Sequence, residues 1–281
     1  VLIMPTIQNL KKKLQVIHST RKITQAMKTA STVKFSKMAT LYSDYEKYEN
    51  QCNRMYQSYR KDFNSVLSLK NPDAPVLYIL LSSNRGMCGS FNTELFSFFE
   101  NIVRKQEKKP VVICCGKKGK DFLDNKKIPY IEAYSFDDKP VYSDACELFE
   151  QIKKLIQDGD VSGVKMVYPR YNNMMKQTPV CSDLFVFDEG MTEGEEPLFV
   201  PDRQAVILHT AEKIFVSILY KKILETALGA QAATLTTMRS AFDTACEYSA
   251  QLETQINRKR QSQVTADVIE ISSEYSMKEE E

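Results

Sequence analysis

Of nine glycines and ten prolines, only Pro5 and Gly229 lie outside the stretch from Pro72 to Pro201. The two flanks therefore lack the residues that most readily end a helix. Thr6 to Asn71 contains neither residue type, and Asp202 to Glu281 is interrupted only by Gly229. Each flank has room for a continuous helix of about 90 to 100 Å at a rise of about 1.5 Å per residue, far longer than ordinary globular helices. Apolar spacing agrees. On the first flank Met38, Leu41, Tyr45, Tyr48, Cys52, Met55 and Tyr59 alternate steps of three and four, which lays them along one narrow seam. On the second, Leu228, Leu235, Met238, Phe242, Ala245, Leu252 and Ile256 fall on a and d positions of one heptad frame, interrupted by Gln231 and Ser249. Each stripe needs a cover, and each flank offers the other one. With a compact segment between them, the economical arrangement is antiparallel pairing of the two ends.

The middle segment alternates strand and helix signals. Strands are predicted at Val76 to Ser82, Val111 to Gly116, Tyr130 to Tyr134, Val164 to Tyr168 and Leu184 to Phe187, and helices near Asn92 to Gln106, Lys118 to Asn125 and Asp144 to Gln157. Such alternation predicts a parallel-rich, Rossmann-like sheet covered by helices. Asp188 to Pro201, rich in Glu, Gly and Pro, reads as the loop returning to the second long helix. The expected class is thus α/β: a long antiparallel two-helix coiled coil with an inserted Rossmann-like domain. Its parts are an N-terminal coiled-coil helix (1–71), the α/β domain (72–201) and a C-terminal coiled-coil helix (202–281).

With 43% hydrophobic and 26% charged residues the chain has the composition of a folded protein. Its net charge of +2 conceals polarity. No Asp or Glu precedes Asp44, while Lys11, Lys12, Lys13, Arg21, Lys22, Lys28, Lys34 and Lys37 are all basic, and the chain ends Glu279-Glu280-Glu281. Around Thr20, Thr24, Ala26, Thr29, Ala30, Ser31 and Thr32 the first flank turns small and polar, a surface suited to being surrounded by other protein or simply to solvent. Seven cysteines without C-x-x-C spacing fit a reducing compartment and neither a redox nor a zinc motif. No apolar run approaches the roughly 18 residues of a membrane span, so no transmembrane segment is expected.

Chemistry-bearing motifs are weak. Ser82-Ser83-Asn84-Arg85-Gly86-Met87-Cys88-Gly89-Ser90 is a glycine-rich turn between strand and helix where backbone N–H groups could cradle an anion, but it matches neither standard phosphate motif. The basic turn from Cys114 to Lys120, with Gly116 and Gly119, also admits a phosphate, although an exposed strand-to-helix turn with solvated lysines is the favoured explanation. Adjacent Cys114 and Cys115 point to opposite faces of a strand as small core residues. Cys88 has no evident base, because His18 and His209 both sit on the long flanks. No catalytic residue, cofactor or metal ligand is therefore assigned, and the chain is not read as an enzyme.

Three separated stretches resemble one family. Arg21-Lys22-Ile23-Thr24-Gln25-Ala26-Met27-Lys28, Ser83-Asn84-Arg85-Gly86-Met87-Cys88-Gly89 and Asn257-Arg258-Lys259-Arg260-Gln261-Ser262-Gln263-Val264-Thr265 are similar to the first-helix, internal-turn and last-helix signatures of gamma subunits of the F-type ATP synthase. The resemblance implies a central rotor shaft, non-catalytic itself, that couples proton-driven rotation to ATP synthesis on beta subunits. It implies contact of Arg260, Gln261 and Arg258 with a beta-subunit catch loop, of Arg85 with Ser90 with the acidic beta lever loop, and of Met27 and Lys28 in the bearing region. The implied partners are the ring of three alpha and three beta subunits, the small delta and epsilon rotor subunits, and the membrane c-ring at the foot, with no nucleic acid.

The sequence departs from the family pattern in three places. Asn84 stands where Asp is usual, Ser262-Gln263 is more polar than the usual pair, and Ser272-Ser273-Glu274-Tyr275-Ser276 replaces a small apolar ending. The expected location is the mitochondrial inner membrane, matrix side and peripheral, with the bacterial cytoplasmic membrane as the alternative. Two other readings are carried: an α/β nucleotide-binding enzyme using the Gly86 or Gly119 turn, and a coiled-coil adaptor placing its basic helix on nucleic acid.

Overall fold

Val76–Leu81 is apolar at every position, so a strand there needs cover on both faces. In the computed structural model, which describes residues 6–58, 71–106, 108–184 and 203–279, this strand (β1) is the centre of a five-stranded sheet. The order along the chain is α1 (Ile7–Ser58), β1, α2 (Phe91–Arg104), β2 (Val111–Cys115), α3 (Lys117–Lys126), β3 (Glu132–Tyr134), α4 (Tyr142–Asp158), β4 (Gly163–Asn173), β5 (Lys176–Asp183) and α5 (Arg203–Glu279). The sheet runs β3-β2-β1-β4-β5. The first three pairings are parallel, and β4 and β5 form an antiparallel hairpin at one edge.

The period-two alternation of side chains sorts the core into two layers. Tyr78 and Leu80 of β1, Val112 and Cys114 of β2 and Val167 of β4 pack with Leu95, Phe99 and Leu123 from α2 and α3. Leu77, Ile79 and Leu81 face the other way, with Ile113, Cys115, Val164, Met166 and Tyr168, into a cluster shared with α4, α5 and Met38 and Cys52 of α1. Cys114 and Cys115 do lie on opposite faces. The fold class is the expected one, and four of the five predicted strands are present. The fifth differs: the edge strand is β5, immediately before the predicted Leu184 to Phe187, of which 185–187 lie outside the described residues. Its sequence, with Pro179 and five polar positions, is that of an edge strand, where proline and polar side chains are tolerated. The predicted loop from Asp188 to Pro201 also lies outside the described residues.

The chain divides into two compact units, Val1–Ala30 with Thr237–Glu281, and Ser31–Thr236. In the second unit α5 is buried on every side from Ile214 to Tyr220, because it is part of the domain core as well as the mate of α1. Tyr45 meets Tyr220 edge-on at 4.8 Å, and its hydroxyl lies 2.9 Å from Ser217 Oγ. Lys221 Nζ reaches the buried Glu49 at 2.5 Å, while Tyr42, earlier in α1, lies near Glu225, later in α5. In the first unit His18 Nε2 lies 3.7 Å from the Glu253 carboxylate, and Lys28 Nζ sits 5.0 Å from the centre of the Phe242 ring. Rising numbers on α1 meet falling numbers on α5 from His18–Glu253 to Lys28–Phe242 in the first unit and from Tyr42–Glu225 to Tyr45–Tyr220 in the second, which is antiparallel pairing.

The seam of α1 follows the expected one in part. Met38 and Cys52 are buried and Leu41 and Tyr45 half-buried, as expected, whereas Tyr48 and Met55 are exposed and Tyr42 and Glu49 join the covered face instead; Tyr59 lies outside the described residues. On α5 Leu228, Leu235, Met238, Ala245 and Leu252 are buried and Phe242 and Ile256 half-buried, as expected. Ser249, which interrupts the heptads, is also buried and satisfies its hydroxyl on the Cys246 carbonyl at 2.9 Å.

Candidate functional site

The glycine-rich turn after β1 and the start of α3 are joined at the carboxyl edge of the sheet, where open α/β folds commonly hold ligands. Here the chain fills that place with its own atoms. Three N–H groups at the start of α3 are engaged: Lys117 N–H donates to Asn84 Oδ1 at 3.0 Å, Lys118 N–H to the Ser83 carbonyl at 3.1 Å, and Gly119 N–H to Ser82 Oγ at 2.8 Å. A phosphate at this helix start would need those same donors. Gly116 permits the approach: its φ is +108°, and a Cβ there would come within 2.3 Å of the Ser82 carbonyl oxygen. Cys88 is buried beneath the turn with Asn92 Nδ2 at 3.2 Å, and burial pushes its thiol pKa up, which keeps it protonated and a poor nucleophile. Burial likewise pushes the Cys114 thiol up to about 12.

Asn84 is the pivot of this joint. Its Nδ2 donates to the Phe136 carbonyl, while Oδ1 accepts from Lys117 N–H and, at 3.3 Å, from Ser135 Oγ. Because the Lys117 N–H can only donate, the amide orientation is fixed. An aspartate, usual in the resembled motif, would retain both acceptor roles and turn a second carboxylate oxygen toward a carbonyl. Asn84→Asp is therefore expected to lower unfolding free energy at neutral pH by about 1 kcal/mol, the order of one hydrogen bond lost at a half-buried site. The loss should shrink as acidification protonates the new carboxyl and restores a donor, which chemical denaturation at two pH values would read.

Arg85, next in the turn, is exposed, and its guanidinium pairs with Asp138 at 3.0 Å. Asp138 also takes Lys34 Nζ of α1 at 2.6 Å. Nothing in the sequence singled out Asp138, a loop residue 53 positions away. Ser90 is exposed at the start of α2, its carbonyl accepting Glu94 N–H at 2.9 Å and its hydroxyl making no capping bond.

The other candidates belong to the first unit. Met27 and Lys28 are half-buried, with the Lys28 ammonium drawn over Phe242. Farther along α5, Arg258, Arg260 and Gln261 are exposed, and among the described residues neither Arg258 nor Arg260 has a carboxylate partner. Arg258 and Gln261, three apart, share one face of the helix. Arg260 heads a different stripe, continued by exposed Val264, Val268 and Ile271 at steps of four, four and three. Exposed apolar residues in a row mark a surface shaped for contact. This stripe was not anticipated, because the polar ending that surrounds it drew attention instead. No group of three or more potential metal ligands occurs among the described residues, and none of their helices is long and apolar enough to cross a membrane.

Comparison with known proteins agrees with this geometry. The family model described as ATP synthase matches residues 6–276, and the chain belongs to that family. The relatives it matches are gamma chains. That of Rubrobacter xylanophilus is 29% identical over 96% of this chain and 97% of its own length, and that of Pelotomaculum thermopropionicum 27% identical over 95% and 97%. In fold, the chain is similar to a component of the rotor of the Euglena gracilis mitochondrial ATP synthase in rotational state 1, with a TM-score of 0.65 at 18% identity, covering 92% of this chain and 98% of that one.

Proposed function

We infer that this chain is the central rotor shaft of an F-type ATP synthase, a non-catalytic subunit that couples rotation to ATP synthesis and hydrolysis on its neighbours. The observation that carries this reading is a gamma-type sequence whose two ends pair antiparallel around an inserted α/β domain. A single asymmetric shaft cannot present the same side chains to three surrounding copies of one subunit. Each copy is therefore biased toward a different conformation, and turning the shaft passes those states around the ring.

In this reading Arg260 and Gln261, with Arg258 beside them, contact the catch loop of beta; their exposure supports it, as does the lack of a carboxylate partner for either arginine among the described residues. Arg85 with Ser90 meets the acidic lever loop, where a guanidinium suits carboxylates. Met27 and Lys28 lie in the bearing region. The partners are the alpha and beta ring, the delta and epsilon rotor subunits and the c-ring, and the functional parts are 1–71, 72–201 and 202–281. The subunit is peripheral. We place it on the matrix side of the mitochondrial inner membrane; the bacterial gamma-chain relatives support the alternative, the bacterial cytoplasmic membrane.

Affinity purification of the tagged full chain from its own cells tests the reading. Alpha and beta subunits should be retained in stoichiometric amount through a wash of moderate salt. Recovery of the chain alone, or with nucleic acid lost steeply as salt rises, would overturn it.

A further inference from the structure

The Arg85 guanidinium, read above as the contact for an acidic loop on beta, already holds a carboxylate of its own chain. Asp138 lies 3.0 Å from Arg85 and 2.6 Å from Lys34, with side-chain exposures of 26% for Asp138, 70% for Arg85 and 41% for Lys34. The two cations approach Asp138 from different elements, the turn after β1 and helix α1. Beside them opens a cavity of 540 Å³ lined by Asn84, Arg85, Lys117, Asp137, Asp138 and Lys139 among others, which leaves room for a further acidic side chain to reach the guanidinium.

Two roles for Asp138 are physically distinct. As a mechanical strap it would carry load from the turn to α1, but a pair this exposed changes an equilibrium by about fivefold at most, too weak to bear load. As an exchangeable partner, weakness is what is needed. We propose that Asp138 is a resident stand-in carboxylate: it holds the Arg85 guanidinium in place until an acidic segment of the partner subunit takes it. Lys34 makes the exchange easy, because Asp138 keeps a cation at 2.6 Å after Arg85 leaves and is never stranded as an unpaired charge. Asn84 fixes the turn through Phe136 and Lys117 throughout, so only the guanidinium need swing. The proposal rests on the assignment of Arg85 to an acidic loop on beta.

The test is the rate at which labelled full-length chain leaves a reconstituted alpha–beta ring, with thermal melts confirming that each variant folds. Removing the competitor with Asp138→Asn should slow dissociation by about twofold to fivefold, the span of an exposed ion pair. Lys34→Gln, which leaves Asp138 with Arg85 as its one cation, should speed it by a similar factor. Arg85→Ala should speed it too, and Asp138→Asn added to Arg85→Ala should then have no effect. If Arg85→Ala speeds release while Asp138→Asn leaves it unchanged or faster, the stand-in role is wrong and the Arg85 contact stands. If Arg85→Ala changes nothing, both fall.

Discussion

Glu225→Leu is expected to lower the unfolding free energy of the full chain by about 3–5 kcal/mol, the range for removing one partner of a buried ion pair. Glu225 is only 4% exposed. One carboxylate oxygen accepts the Tyr171 backbone N–H at 3.0 Å, and the other meets Lys222 Nζ at 3.2 Å. Tyr171 lies where β4 and β5 slip register. Glu225 thus ties the irregular edge of the sheet to α5. Lys222 is held between this carboxylate and the face of Tyr168, 4.7 Å from the ring centre. Burial pulls its pKa down, but Glu225 and Tyr168 outweigh that and the net shift is upward. A raised lysine pKa stabilises the fold fully below the ordinary lysine value and fades only as pH rises through the folded-state value, so the contribution is intact at neutral pH. Leucine would strand both a backbone donor and a buried ammonium. Glu225→Gln, which can still accept from Tyr171, should cost about 1–3 kcal/mol. Urea denaturation of the three proteins would check the ranking; equal midpoints would mean that water satisfies Lys222 and Tyr171.

The same pair of helices shows how far the sequence could be read. Their existence and antiparallel pairing were legible, because a long stretch without Gly or Pro leaves few alternatives to helix and two apolar stripes in one chain need each other. The exact seam of α1 was not. A reading that seeks apolar residues selects Tyr48 and Met55, which are exposed, whereas the structure buries Glu49 and half-buries Tyr42. Glu49 is inside because Lys221 meets it from α5, with Glu46 a more distant partner at 3.9 Å. A charge at a seam position can be recognised only when the opposing helix is known. The sheet was similarly legible at β1 and β2, buried on both faces, and not at β5, whose polar edge sequence resembles a loop. At the turn after β1, two glycines and a strand–helix junction suggested an anion cradle. What decides otherwise is long-range: Ser82, Ser83 and Asn84 reach the start of α3, more than 30 positions away, and occupy its donors. The pairing of Arg85 with Asp138 is long-range in the same sense, and no local pattern encodes it.

Arg260→Ala combined with Gln261→Ala is expected to reduce coupling between rotation and ATP turnover severely while leaving the fold untouched. Both residues are exposed on α5, and among the described residues Arg260 has no carboxylate partner. Alanine is the best helix former, so the truncation should shift unfolding free energy by no more than about 0.5 kcal/mol, as for surface positions without special contacts. In the assembled complex the same truncation costs more. A guanidinium and an amide that hydrogen-bond a partner loop, shut away from water, would leave that loop's acceptors unpaired once removed, a loss of about 2–5 kcal/mol for a buried charged contact. That corresponds to roughly 30-fold or more in any equilibrium the contact biases. Arg258→Ala, one face away from Arg260, should have a smaller effect in the same assay. The measurement is ATP-driven proton pumping relative to ATP hydrolysis in reconstituted complex, alongside a thermal melt of the isolated chain. Normal pumping with normal assembly would remove Arg260 and Gln261 from the torque path, whereas a lowered melting temperature would show that they support the helix pair instead. A deficit in pumping without either change is the outcome that the solvent exposure of these side chains predicts.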